Sequence, residues 1–193
     1  MSKVFVITGP SGVGKGTLIA ELLRRVPGLE LSVSATTREP REGEVDGRDY
    51  HFLDREEFDR RAREGEFLEH ATYSGHRYGT LRSEVDRRLA EGRSVVLEIE
   101  VQGARQVRAA MPESVQVFIA PPTPEALRHR LTGRGTDSAD QIDERLRTAE
   151  LELAAQEEFG YAVVNDDIER AAGELERIVR RELGDDPYNE PSG

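Results

Sequence analysis

Val4-Phe5-Val6-Ile7-Thr8-Gly9-Pro10-Ser11-Gly12-Val13-Gly14-Lys15-Gly16-Thr17-Leu18-Ile19-Ala20-Glu21-Leu22-Leu23 runs from a short apolar segment, through glycines around one lysine, into an amphipathic segment. The pattern predicts a buried strand, a tight loop and a helix whose N-terminus faces that loop. Glycines let the backbone curl until successive N–H groups point inward, the helix start adds partial positive charge, and Lys15 brings a mobile cation. Such a loop cradles phosphate, and a lysine placed for the outer phosphates predicts a nucleoside triphosphate. The candidate binding residues are Gly9, Pro10, Ser11, Gly12, Val13, Gly14, Lys15, Gly16 and Thr17. An ordinary turn needs only one or two glycines and no lysine, and the spacing is not the G-x-G-x-x-G of dinucleotide folds. The usual phosphate loop ends Gly-Lys-Ser/Thr, with the hydroxyl on magnesium; here Gly16 stands at that position and Thr17 comes one step late.

The 193 residues suit one domain with subdomains, long enough to bury a core without covalent staples. There is no cysteine, which excludes a disulfide framework and fits a reducing compartment. The first strand begins almost at once and no apolar run approaches the ~18 residues of a membrane span. A cytoplasmic location is expected. A net charge of −11 argues against broad binding to nucleic acid or anionic membranes, although local basic clusters can still hold one small anion. His51, His70, His76 and His129 show no spacing with carboxylates that suggests a metal site on the protein.

Beyond the loop, apolar runs at Val4–Thr8, Leu29–Val33, Ser94–Ile99, Val115–Ala120 and Tyr161–Asn165 predict strands covered on both faces, hence a parallel sheet. Helices are expected at 15–25, 102–110, 124–132, 139–157 and 167–183; in the longest, Ile142, Leu146, Ala149 and Leu153 share one face. Residues 34–90 break the alternation: a polar, glycine-rich stretch, then runs at Tyr50–Leu53 and Phe67–Tyr73 with a helical segment, Arg55–Glu64, between them. This reads as an inserted small lobe with a mixed sheet. Thr132-Gly133-Arg134-Gly135-Thr136-Asp137 is a glycine-flanked arginine loop suited to a lid, and residues 184–193 lack a core-forming pattern and read as a disordered tail.

From Ser32 to Tyr50, through Thr36-Thr37-Arg38-Glu39-Pro40-Arg41-Glu42-Gly43-Glu44, the chain resembles the guanylate kinases. The resemblance continues through Gly65-Glu66-Phe67-Leu68-Glu69, Gly75-His76-Arg77-Tyr78-Gly79-Thr80, Leu97-Glu98-Ile99-Glu100-Val101-Gln102-Gly103, Phe118-Ile119-Ala120-Pro121-Pro122, Arg130-Leu131 with Arg134-Gly135, and Val164-Asn165-Asp166-Asp167. Several motifs in register over residues 3–183 are more specific than any one of them. The resemblance implies an α/β phosphate-loop kinase: a five-stranded parallel core sheet flanked by helices (1–33, 91–131 and 146–183), a GMP-binding lobe at 34–90 and a lid at 132–145.

It also implies roles. Arg38 and Arg41, with the Tyr50 and Tyr78 hydroxyls, would clamp the GMP phosphate, a dianion matched by guanidinium forks. Glu69 would accept from guanine's N1–H and amine, Ser34 and Thr80 would donate to O6, and Glu98 and Glu100 would border the base or the magnesium shell. Lys15, Arg134 and Arg145 would stabilise the transferring phosphoryl group, with Arg130 assisting, while Asn165 lies in the region that holds the donor base. With no hydroxyl at Gly16, Mg2+ would be held by ATP and water, touched from outside by Thr17, Glu98 or Glu100. Family members often carry aspartates where this chain has Glu98 and Glu100, which leaves the separate roles of these two glutamates open. The expected partners are therefore ATP and GMP. Rival readings are a kinase for another nucleoside monophosphate, and a non-catalytic binding module; the retained Gly14, Lys15, Arg134 and Arg145 weigh against the latter.

Overall fold

The structure, a computed structural model, describes residues 2–73, 75–132 and 139–185, with 139–145 described in backbone only. Five parallel strands form the core sheet in the order β2-β7-β1-β8-β9. They are β1 (Val4–Thr8), β2 (Leu29–Leu31), β7 (Ser94–Glu98), β8 (Val115–Ala120) and β9 (Tyr161–Val164). The five-stranded parallel core and the separate mixed sheet bear out the expected fold class. β2, β7 and β9 end earlier than the apolar runs predicted; β2 and β9 are the edge strands, and each pairs on one side only.

β1 is the middle strand, buried along its whole length, with Val6 opposite Leu97 on one side and Gln116 on the other. Its Val-Phe-Val-Ile run is what a doubly covered strand requires. Phe5 and Ile7 point into one apolar layer, packed with Leu18, Ile19 and Leu22 of α1 (Lys15–Arg25) and Ala171, Leu175 and Val179 of α7 (Ile168–Leu183). Val4 and Val6 point into the other, with Val95, Leu97 and Val107. α7 starts on Asp167, whose side chain accepts from the Arg170 N–H at 2.9 Å, and stops at Gly184 with φ 76°. From β1 the chain crosses to β2 beyond β7, whereas from β7 it crosses to β8 on the other side of β1. The carboxyl ends of β1 and β7 therefore flank the crevice where connections diverge, the place where open α/β sheets bind ligands.

The second sheet, in the order β4-β3-β6-β5, comprises β3 (Ala35–Thr36), β4 (His51–Phe52), β5 (Phe67–Tyr73) and β6 (His76–Leu81). β3 and β4 are parallel and the other pairs antiparallel, so the sheet is mixed. α2 (Arg55–Arg63) covers it, capped by Asp54, and its Phe58 stacks on Phe67 at 4.4 Å between ring centroids. One helix inside the 34–90 segment behaves differently. α3 (Arg82–Ala90) places Val85 and Leu89 in the apolar layer of Val4, Val6, Val95 and Leu97, so it packs on the core sheet rather than on the lobe. The remaining helices are α4 (Val101–Ala110), α5 (Pro124–Thr132) and α6 (Ala139–Ala154); α6 is followed by a short 3-10 turn at Gln156–Glu158, so the helix expected to 157 tightens near its end. Among the described residues no helix is long and apolar enough to cross a membrane.

Candidate active site

The glycine-rich loop sits at the carboxyl end of β1 and closes through positive φ at Gly9, Gly12 and Gly14. Gly9 shows why no other residue fits: its φ is 149°, and an added Cβ would lie 2.3 Å from the Ile119 carbonyl oxygen of β8. Below the loop, Asn165 is buried and donates from Nδ2 to the Val13 carbonyl at 2.8 Å. Arg130 of α5 donates to the same carbonyl at 3.1 Å and to the Asn165 carbonyl at 3.2 Å. These two side chains thus pin the loop's shape from below. The Lys15 ammonium donates to the Gly9 carbonyl at 2.6 Å and the Pro10 carbonyl at 3.3 Å. Burial lowers its pKa, while Glu98, Glu152 and Glu100 act in the opposite direction.

Loop and lobe enclose two adjoining cavities. The first, about 400 Å³, is lined by Gly9, Ser11 and Lys15 from the loop, by Glu98, Glu100 and Glu152, and by Ser34, Tyr50 and Thr80 of the lobe. The second, about 230 Å³, lies between the lobe and the start of α4 and is lined by Glu69, Tyr78, Gly79 and Gly103. Ser34, Tyr50, Glu98 and Glu100 border both, so one ligand can reach across to another. Gly16 and Thr17 at the start of α1 are exposed.

In the second cavity Glu69 is 6% exposed and accepts from the Thr80 hydroxyl at 2.7 Å. A register irregularity between Phe67 and Glu69 sets this pair, because it brings Glu69 opposite Thr80 while Leu68 joins the core layer. Burial pushes the Glu69 carboxyl above its ordinary range, the Thr80 hydroxyl and backbone N–H oppose that, and Glu100 adds to it. The Thr80 proton is already given to Glu69, so the donation to O6 expected of it requires the hydroxyl to turn. Gly103 leaves room for the other oxygen: a Cβ there would be 2.8 Å from Glu69 Oε2.

Arg38 is held by its own neighbourhood. Its Nη2 donates to both oxygens of Glu44, at 2.8 and 3.0 Å, and Nη1 to the Glu39 carbonyl at 2.7 Å. Its guanidinium carbon lies 5.3 Å from the centre of the Tyr50 ring, and the Tyr78 hydroxyl is also a partner. Glu44 accepts in addition from the Arg41 N–H at 2.7 Å, and Arg38 first, then that N–H, hold its carboxyl below the ordinary value. Arg38, Tyr50 and Tyr78 are therefore together, whereas the Arg41 side chain is exposed beside them. Arg134 lies outside the described residues, and so does the side chain of Arg145, whose backbone belongs to α6.

Three contributors were not singled out in the sequence. Glu44 could have been found as the carboxylate three residues after Arg41. Gln106 of α4 gave no signal; it exchanges two 3.1 Å hydrogen bonds with the His70 backbone and so ties the lobe's β5 to the core. Glu152 looked like one more charge on a polar helix, and nothing in its spacing marked it as facing the loop.

A glycine-rich loop around a lysine at the carboxyl end of a central parallel strand, abutting a cavity lined by a buried carboxylate, is the arrangement of a phosphate-loop kinase. The family model for guanylate kinase matches residues 1–182. The chain is 55% identical over 186 residues to the guanylate kinase of Rubrobacter xylanophilus, covering 96% of this chain and 97% of that one. It is 55% identical over 174 residues to the guanylate kinase of Frankia casuarinae, covering 90% and 95%. The crystal structure of guanylate kinase from Anaplasma phagocytophilum superposes with a TM-score of 0.74 at 37% identity, covering 94% of this chain and 86% of that one. The chain belongs to the guanylate kinase family.

Proposed function

We propose that this protein transfers the γ-phosphoryl group of ATP to GMP, reversibly, giving ADP and GDP. The observation that carries the reading is the buried Glu69–Thr80 pair in a cavity that shares walls with the phosphate cradle. Guanine offers two adjacent donors, N1–H and the exocyclic amine, and a carboxylate accepts both. Adenine offers a bare N1 at the corresponding edge, which would face a carboxylate with no proton between them.

The acceptor phosphate is assigned to Arg38, Arg41, Tyr50 and Tyr78, the base to Glu69, Ser34, Thr80 and Glu100, and the donor triphosphate to the Gly9–Thr17 loop with Lys15. Once both are seated, a GMP phosphate oxygen attacks the γ phosphorus as the bond to the β–γ bridging oxygen breaks, releasing ADP. Little bond chemistry falls to the protein; its work is to align two anions and balance their charge. Lys15 serves the outer donor phosphates, and Arg134 and Arg145 are assigned to the group in flight. Because an open site would let water take the phosphoryl group, closure of a lid at 132–145 and of the lobe over the core belongs to the same proposal.

The donor set near the cradle suits a magnesium ion that arrives with ATP and keeps its water. Gly16 has no hydroxyl, Thr17, Glu98 and Glu100 are exposed, and no group of three or more His, Asp or Glu among the described residues is arranged to hold a metal. Mg2+ would neutralise phosphate charge there, with Glu98 and Glu100 facing its water shell. A cytoplasmic location, expected from the cysteine-free sequence, belongs to the same reading.

Lys15→Met tests the assignment. GMP binding retained with turnover reduced about 10²- to 10³-fold is expected from loss of one preorganised charge. Unchanged turnover would refute the donor role of the loop.

A further inference from the structure

Glu152 projects from α6 into the wall of the first cavity, which it lines together with Gly9, Ser11 and Lys15. Its Oε2 is buried with no hydrogen-bond partner among the described residues. Burial first, then Glu100, push this carboxyl above its ordinary range, and Lys15 and the backbone N–H of Ser11, a loop group that phosphate would use, only partly oppose them. Lys15 meanwhile points its ammonium at its own loop carbonyls. A buried carboxylate oxygen without a partner is costly to keep, and it lies where Glu98 and Glu100 already supply negative charge.

The adjoining loop, with Lys15 and the start of α1, suits an anion, and a triphosphate seated there and this carboxylate repel one another. We propose that Glu152 is a gating residue of the donor cradle: its carboxylate stands in for phosphate in the ligand-free protein and must be displaced before the triphosphate seats. The consequence is selectivity by charge. A weakly charged anion such as inorganic phosphate gains too little from the loop to displace the carboxylate, whereas a triphosphate gains enough. The displacement raises the donor's Kd and KM and leaves the acceptor side untouched. This inference rests on the reading of the Gly9–Thr17 loop as the donor site.

The test is calorimetric titration of the full chain with magnesium-free ATP and, separately, with inorganic pyrophosphate. Glu152→Gln keeps the length and one acceptor for Ser11 but carries no charge, and it should bind both probes about 10-fold more tightly than wild type, with the GMP Kd unchanged. Glu152→Asp, which keeps the charge but withdraws it by one methylene, should tighten binding less and serves if the glutamine variant does not fold. A carboxylate that merely packs would leave the ATP Kd unmoved in both variants, and one that helps hold the donor would weaken it; either result overturns the proposal. Lys15→Met combined with Glu152→Gln separates the two layers. Loss of ATP binding in the double variant supports the cradle as donor site, whereas persistence of ATP binding there refutes the donor reading on which the gate depends.

Discussion

The Thr80 hydroxyl donates to Glu69 Oε1 at 2.7 Å, and the two buried side chains join the cavities, Thr80 lining the first and Glu69 the second. The bond fixes the rotamer of the carboxylate before any ligand arrives, which spares the ordering cost at binding. It also leaves Oε2, beside Gly103, with acceptor capacity facing the cavity. Glu69→Gln replaces that capacity with an amide that turns a donor toward guanine's donors. A charge-assisted bond contributes about 1.5–3 kcal/mol, so kcat/KM for GMP should fall about 10- to 100-fold with KM for ATP unchanged. Steady-state kinetics with either substrate varied would show this split.

The same carboxyl makes a pH prediction. Burial raises its pKa in the folded protein above the 4.5 of a free glutamate. The folded state therefore holds this proton more tightly than the unfolded one, and its contribution to stability is complete below about pH 4.5 and is lost as pH rises through the folded value. Glu69→Gln lacks that loss. The Tm of the variant minus that of wild type should grow as pH increases from the acid side to neutrality, measured by thermal unfolding in matched buffers. A difference independent of pH would show that Glu69 titrates normally.

Gly103→Ala probes the other side of the carboxylate. The new methyl would sit 2.8 Å from Glu69 Oε2, at the end of a side chain that can shift. We expect the shift to break the aim of Glu69 rather than the fold: KM for GMP rises about 10-fold, the size of one misplaced polar contact, while Tm changes little. A large loss of Tm with GMP kinetics intact would locate the strain elsewhere.

Arg38→Lys keeps the charge and loses the fork. The guanidinium now binds both oxygens of Glu44 while lying over Tyr50, and an ammonium cannot do both. KM for GMP should rise about 10- to 100-fold, while KM for ATP stays within a factor of about two. Wild-type behaviour would mean that Arg38 serves only its contact with Glu44.

Much of this architecture was legible in the chain because its signals are local. The apolar run Val4–Ile7 can only be a strand covered on both sides, and the glycines around Lys15 can only be a tight loop. Glu69 was singled out only through the family resemblance, and the structure places it, buried, in the wall of the second cavity. What escaped depends on packing at a distance. α3 presents just Val85 and Leu89 to the core in an otherwise charged segment, too thin a stripe to place from sequence. Glu152 is a glutamate on a polar helix until α6 is laid across the cradle, and the Thr80 proton could not be assigned to Glu69 before the irregularity in β5 set their register.

The central claim is that the buried carboxylate selects guanine as acceptor. The direct measurement is the initial rate of ADP formation from ATP and magnesium with GMP, AMP, CMP and TMP supplied in turn to the intact chain. The account predicts turnover with GMP and kcat/KM for AMP lower by about 10²-fold or more, since two charge-assisted bonds are lost. Turnover of AMP, CMP or TMP equal to or faster than that of GMP would contradict it.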